Sequence, residues 1–231
     1  MSCRNFQMGV VCLVALVIMS LAKLSSAAII INADITAAGD PIVGIASTPG
    51  TSISLAAAAG GGSGNAFPTA ESPANAINNN QADKYLNFQQ ANAGFITTIA
   101  TNGPKATVKG FRFSTGNDAV ERDPATITIE GTNDANPTTT LNSSWTSIYS
   151  GVSGLATDPG RNTFGSQISF AESAAFSSYR VLITAVRTPG TANSFQFGEI
   201  ELIGNTATPE PGSLALIGAM GVGLLARRRK A

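Results

Sequence analysis

Asp123-Pro-Ala-Thr-Ile-Thr-Ile-Glu-Gly-Thr-Asn-Asp134 decides how this chain folds. Ile127 and Ile129 alternate with Thr126, Thr128 and Glu130, the two-residue period of a strand with one face buried. Asp123-Pro124 before it and Gly131-Thr-Asn-Asp134 after it supply turn chemistry at both ends. Outward from this strand the pattern repeats. Short apolar runs predict strands at 95–100, 108–114, 125–131, 145–149, 163–170, 178–186 and 194–204, with turns at Asp158-Pro159-Gly160 and Thr188-Pro189-Gly190. No segment keeps a 3.6-residue period for long, so the expected class is all-β, a sandwich or jelly roll.

Composition bounds the rest. The 231 residues contain no histidine and 12% charged side chains, which suits one modest domain. Both cysteines, Cys3 and Cys12, precede Ala27, so a product starting after Ala27 has no thiol. Between Ala27 and the C-terminal basic cluster stand eight basic residues against 14 acidic ones, counting Glu210, an excess of six negative charges that argues against a nucleic-acid partner. Without histidine or a mature cysteine the commonest general base, nucleophile partner and zinc ligands are missing, and no enzymatic function is expected. The carboxylate pairs Glu121/Asp123 and Glu199/Glu201 could in principle serve a glycosidase. They read instead as solvated or capping charges, with Glu199 and Glu201 on one face of a strand.

The ends differ from the body. Arg4 precedes an apolar run, Met8 to Ala22, and the small residues Ser25-Ser26-Ala27, the order of a secretory signal peptide over 1–27, with an uncut membrane anchor as the alternative. Residues 28–63 form an irregular segment whose start, 28–33, can supply an edge strand; the Ala/Gly run from Ala56 to Gly64 reads as a linker. At 205–231 come Pro209-Glu210-Pro211, a short apolar helix over 214–226, and Arg227-Arg228-Arg229-Lys230. That helix is below the roughly 20 residues a stable span needs, and the basic end favours a cytoplasmic C-terminus.

This tail resembles the PEP-CTERM sorting signal, in which Pro209, Glu210, Pro211 and the cluster Arg227, Arg228, Arg229 correspond to the motif recognised by an exosortase. The resemblance implies a Gram-negative bacterium, transient anchoring in the inner membrane, processing near Pro209 to Pro211, and delivery to the cell surface or extracellular matrix. A plain C-terminal anchor is the alternative.

Within 64–204, the stretches Glu71 to Phe88, Arg122 to Asp134, Trp145 to Tyr149 and Phe197 to Gly204 resemble discoidin-like domains of the galactose-binding-like jelly-roll class. That resemblance implies a discoidin-like jelly-roll β-sandwich, flanked here by the signal helix and the short apolar helix, that binds glycans, lipids or proteins. It also implies a structural Ca2+ in a loop of pattern Asp-Gly-Asp-x-x-Thr-x-Trp. Here the loop reads Asn78-Asn-Asn-Gln-Ala-Asp-Lys-Tyr85, so the ligand set would be Asn78, Asn80, Asp83 and Glu199, with less charge than the pattern supplies. An ion-free turn is the other reading of the same residues.

A sugar site pairs an aromatic platform with planar polar groups. The loop candidates are Tyr85, Phe88, Asn117, Asp118, Arg122, Arg161 and Phe195, with a pairing of Arg122 to Glu121 or Asp123 as the alternative role for that arginine. Trp145, the only tryptophan, reads as core. Together these give an exported, exosortase-sorted protein with a non-catalytic domain for an extracellular polysaccharide. The alternative is a structural component of a matrix or biofilm that packs against copies of itself.

Overall fold

The computed structural model describes residues 31–48, 52–55, 67–89, 91–135, 137 and 144–206. The signal segment, the Ala/Gly linker and the sorting tail from residue 207 on, with both flanking helices, lie outside the described residues. Twelve strands occur among the described residues: β1 (Ile31–Asp34), β2 (Ile42–Thr48), β3 (Ser52–Leu55), β4 (Tyr85–Asn87), β5 (Ala93–Thr98), β6 (Ala106–Phe113), β7 (Pro124–Thr132), β8 (Thr146–Val152), β9 (Ile168–Ser169), β10 (Ser178–Val186), β11 (Phe195–Phe197) and β12 (Ile200–Thr206). A four-stranded sheet runs β1-β12-β6-β9, a six-stranded sheet runs β3-β2-β5-β10-β7-β8, and β11 pairs with β4. The two larger sheets pack face to face as an all-β jelly-roll sandwich. Among the described residues no helix is long and apolar enough to cross a membrane.

Alternation produces the core. Ile127 and Ile129 of β7 are fully buried, and Val181 and Ile183 lie opposite Ile129 and Ile127 on β10. Phe111 and Phe113 of β6 and Leu202 of β12 close over them from the other sheet. Aromatic rings connect the layers. Phe197 meets Phe113 at 4.9 Å and Tyr85 at 5.8 Å, both edge to face, and lies 6.3 Å from Phe95. Edge-to-face pairs each add about 0.5–1.5 kcal/mol beyond the area they bury.

Several strands depart from the pattern reading. β2, β3 and β4 are additional to it, and the expected strand over 163–170 shrinks to Ile168–Ser169. In that segment Phe164 makes only an isolated bridge to Ser114, and Ser166 N–H bonds to the Gly154 carbonyl instead of to a ladder. Trp145 precedes β8 half-buried, packing on a second apolar cluster of Ile45, Ile96 and Leu182 with the Arg180 guanidinium 4.6 Å from its ring centre. Glu199 and Glu201 do not share a solvated face. Glu199 precedes β12 and is buried, whereas Glu201 forms a two-pronged pair with Arg112 at 2.5 and 2.8 Å.

Gly94 lets β5 approach β10: a Cβ there would sit 1.9 Å from the Val181 carbonyl oxygen. Gly94→Ala is expected to lower stability by about 1–3 kcal/mol or more, because the obstacle is backbone that cannot rotate away. Chemical denaturation measures this, and an unchanged midpoint would refute the tight approach.

Candidate functional site

One end of the sandwich gathers the loop 114–123, the turn 158–163 and the segment 187–194. Buried ion pairs hold them. Asp123, fully buried, accepts two hydrogen bonds from Arg161 at 2.9 and 2.8 Å and lies 3.4 Å from Arg187. Arg161 also reaches Asp158 at 2.6 Å and the Asp118 carbonyl at 3.0 Å, and Arg187 donates to the Leu155 carbonyl at 2.5 Å. The two-pronged pairing with Asp123 pushes the Arg161 guanidinium further up, so this arginine stays charged.

A second pair sits alongside. Lys84 is buried and contacts Asp118 at 2.9 Å, Gln196 at 3.2 Å and Glu71 at 3.3 Å. Burial works against ionisation of Asp118, but the bonds from Lys84 and Gln196 outweigh it and hold the carboxyl below its usual range. Gln196 donates to the Asp118 carbonyl at 2.6 Å as well. Between the two networks Ala119 is left-handed at φ 45°, a conformation alanine adopts only under constraint.

The seven expected ligand residues divide accordingly. Asn117 and Asp118 are exposed on the loop, and Arg122 is half-buried beside them. Among the described residues the Arg122 guanidinium has no hydrogen-bond or ion-pair partner, and only its longer-range field acts on Asp118. Its expected pairing with Glu121 or Asp123 does not form, because Arg161 and Arg187 already occupy Asp123. Phe88 is half-buried just past β4. Tyr85 and Phe195 are not loop platforms: both are fully buried, 5.4 Å apart edge to face. The Tyr85 hydroxyl donates to the Gly94 carbonyl at 2.9 Å, so even its polar end faces inward. Arg161 is spent on Asp123 and Asp158.

The expected cation ligands also divide. Asn78 donates to Asp83 at 3.0 Å and accepts from Asn80 N–H at 2.9 Å, while Asn80 accepts from Ala82 N–H at 3.1 Å. These side chains close a turn with one another, helped by Asn79 at φ 61°. Glu199 is different. It is 1% exposed and neither carboxylate oxygen has a hydrogen-bond partner. Burial, reinforced by the field of Asp34, pushes its carboxyl up to about 8; the N–H groups of Asn79 and Asn80 draw it down only weakly and fall short of hydrogen-bond geometry. Burial likewise raises Asp34 to about 6.

Two further oxygens stand close to the neighbouring Gly198. The Cβ that Gly198 lacks would lie 2.6 Å from Ser114 Oγ and 3.0 Å from the Gln81 carbonyl, and Ser114 Oγ is itself buried without a partner. Among the described residues no three His, Cys, Asp or Glu side chains converge. An unpartnered carboxylate, a hydroxyl and a main-chain carbonyl are nevertheless hard oxygen donors that suit Ca2+. The unpartnered Glu199 carboxylate fits that ion, which it would hold together with oxygens of this neighbourhood.

No protein-family model matches the chain, and no curated protein matches it. Among solved structures it is similar to the family 32 carbohydrate-binding module of C. perfringens NanJ in complex with galactose, at 9% identity and TM-score 0.44, covering 59% of this chain and 88% of that one. It is also similar to a fucolectin from striped bass (Morone saxatilis) serum, at 15% identity and TM-score 0.47, covering 75% and 49%. A third is chitosan-binding module 1 of a chitosanase/glucanase from Paenibacillus sp. IK-5, at 13% identity and TM-score 0.45, covering 75% and 99%.

Two outcomes follow from these contacts. Asp123→Asn is expected to cost about 3–5 kcal/mol in chemical denaturation, since it strands Arg161 and Arg187 without their buried counter-charge. For Glu199 and Asp34, the folded state holds protons that the unfolded chain releases. Their contribution is therefore full below the ordinary carboxyl range and is lost as pH rises through about 6 for Asp34 and about 8 for Glu199. In chelator, the thermal midpoint should fall from about pH 6 to about pH 8, and Glu199→Gln should flatten that fall. A wild-type midpoint independent of pH in this window would contradict it.

Proposed function

We propose that the chain is an exported, non-catalytic domain that binds an extracellular glycan through Arg122, Asn117, Asp118 and Phe88. The observation that carries this is the unpartnered Arg122 guanidinium, on a loop that buried ion pairs hold still. Its fixed fork of donors can grip a pair of sugar hydroxyls or a carboxylate. Because the supporting charges are already paired beneath the loop, little ordering remains to oppose binding. Glu199, with Ser114 and the Gln81 carbonyl, would hold Ca2+, and the ion would supply positive charge beside the turn Asn78 to Asp83.

The sequences of the terminal segments support a position outside the cell. Residues 1–27 direct export, and 205–231, with Pro209-Glu210-Pro211 and Arg227 to Arg229, present the chain to an exosortase from a transient position in the inner membrane. The destination is the surface or extracellular matrix of a Gram-negative bacterium.

A glycan array with the purified protein, run with Ca2+ and again with chelator, tests the reading. Selective binding that Arg122→Met weakens roughly ten-fold or more is expected, the loss of one charged hydrogen-bond donor. Added Ca2+ should raise the thermal midpoint more at about pH 8 than at about pH 5, because the ion needs Glu199 ionised. Binding that ignores the chelator keeps the glycan and discards the ion. A folded protein that binds no glycan but assembles with concentration would point to the self-associating matrix component.

A further inference from the structure

The outer face of the four-stranded sheet carries a groove of about 380 Å³ lined by Asn32, Lys109, Gln167, Ser169, Phe170 and Ile203. That volume falls within the range of small-molecule sites, roughly 300–1,000 Å³. None of the six residues belongs to the loop-end cluster.

Two β-bulges build the groove. On β1 the pairing with β12 steps from Ile31↔Asn205 to Ala33↔Gly204, so Asn32 is an extra residue, held at φ 53°. On the other side of β12 the pairing with β6 steps from Ile203↔Gly110 to Gly204↔Val108, so Lys109 is extra too. Bulges re-aim a side chain out of the regular alternation and occur beside binding sites. Here both act at the level of Gly204, and the Lys109 ammonium crosses the central strand to donate to Asn32 Oδ1.

The charge at this place is unspent. Among the described residues no carboxylate lies within ion-pair distance of Lys109. Glu172 is engaged by Thr107 and Asn205, each at 2.5 Å, and feels Lys109 only through its longer-range field. Arg112 is taken by Glu201. One ammonium is thus presented with two carboxamides, a hydroxyl and a half-buried phenyl ring.

We propose that this groove is a second saccharide site and takes a uronic acid unit. The carboxylate of that unit pairs with Lys109, its hydroxyls meet Asn32, Gln167 and Ser169, and the ring packs on the wall formed by Phe170 and Ile203. The site does not rest on the loop-end reading, since it shares no residue with it.

Isothermal titration of the full chain with oligogalacturonate, and with the same oligosaccharide fully methyl-esterified, tests this at physiological ionic strength. The acid form should bind roughly ten-fold or more tightly than the ester, as expected for one charge-assisted contact. Lys109→Met should reduce the acid form to the level of the ester, and Lys109→Arg should retain the preference. Thermal midpoints close to that of the wild type show that the variants are folded. Equal binding of acid and ester, no binding of the acid form, or an unaltered Lys109→Met variant overturns the second site. Loss of binding in Arg122→Met alone overturns it as well, and moves the uronate to the loop end, where the glycan reading survives.

Discussion

Phe197 is where the layers of this protein meet. It stands on the short β4/β11 pair, with Phe113 of one large sheet and Phe95 of the other against it and Tyr85 beside it. Four phenyl or phenol rings at one junction leave no room for water, so the Tyr85 hydroxyl must find its partners inside, at the Gly94 carbonyl and the Asn87 amide. Asn87 in turn donates to the Ile45 carbonyl, which ties the small pair to β2. The aromatic junction therefore fixes where β4 and β11 lie, and with them Lys84 and Gln196, the residues adjoining two of its rings.

From that position the charged groups follow. Lys84 and Gln196 emerge beneath the loop at Asp118 and hold it, and Asp123 at the start of β7 fastens the opposite side through Arg161 and Arg187. A buried ion pair adds little net stability, because desolvation offsets most of its attraction, but it penalises any arrangement that separates the partners. The effect here is a loop with little freedom and one guanidinium left over. Glu199 is the converse case. Its burial follows from the β12 entry and the close passage of Gly198 past Ser114 and Gln81, and among the described residues no cation pairs with it.

The strands legible in the sequence were those whose period matched their burial. Ser178–Val186 has the bounds its apolar run predicts, and Ile127 and Ile129 face inward as their alternation requires. Tyr85-Leu-Asn87 gave no such signal, because all three residues are buried and no alternation remains to read. The same burial explains why Tyr85 and Phe195 looked like platforms: an aromatic beside turn residues has one sequence signature whether it points out or in.

By itself, then, the sequence determined the all-β class, the turn positions and the terminal segments with their apolar runs and charges, since these depend on periodicity and local order that neighbours in the chain carry. Only the tertiary structure decided which arginine lacks a partner among the described residues, that the Glu199 carboxylate is buried without a hydrogen-bond partner, and that Asn32 and Lys109 meet across β12. Those are matters of pairing between residues tens of positions apart, where a one-residue bulge redirects a side chain and a fully buried carboxylate can satisfy two guanidinium groups but not a third. Charge and polarity are visible in one dimension; which partner consumes them is settled only when the sheets close.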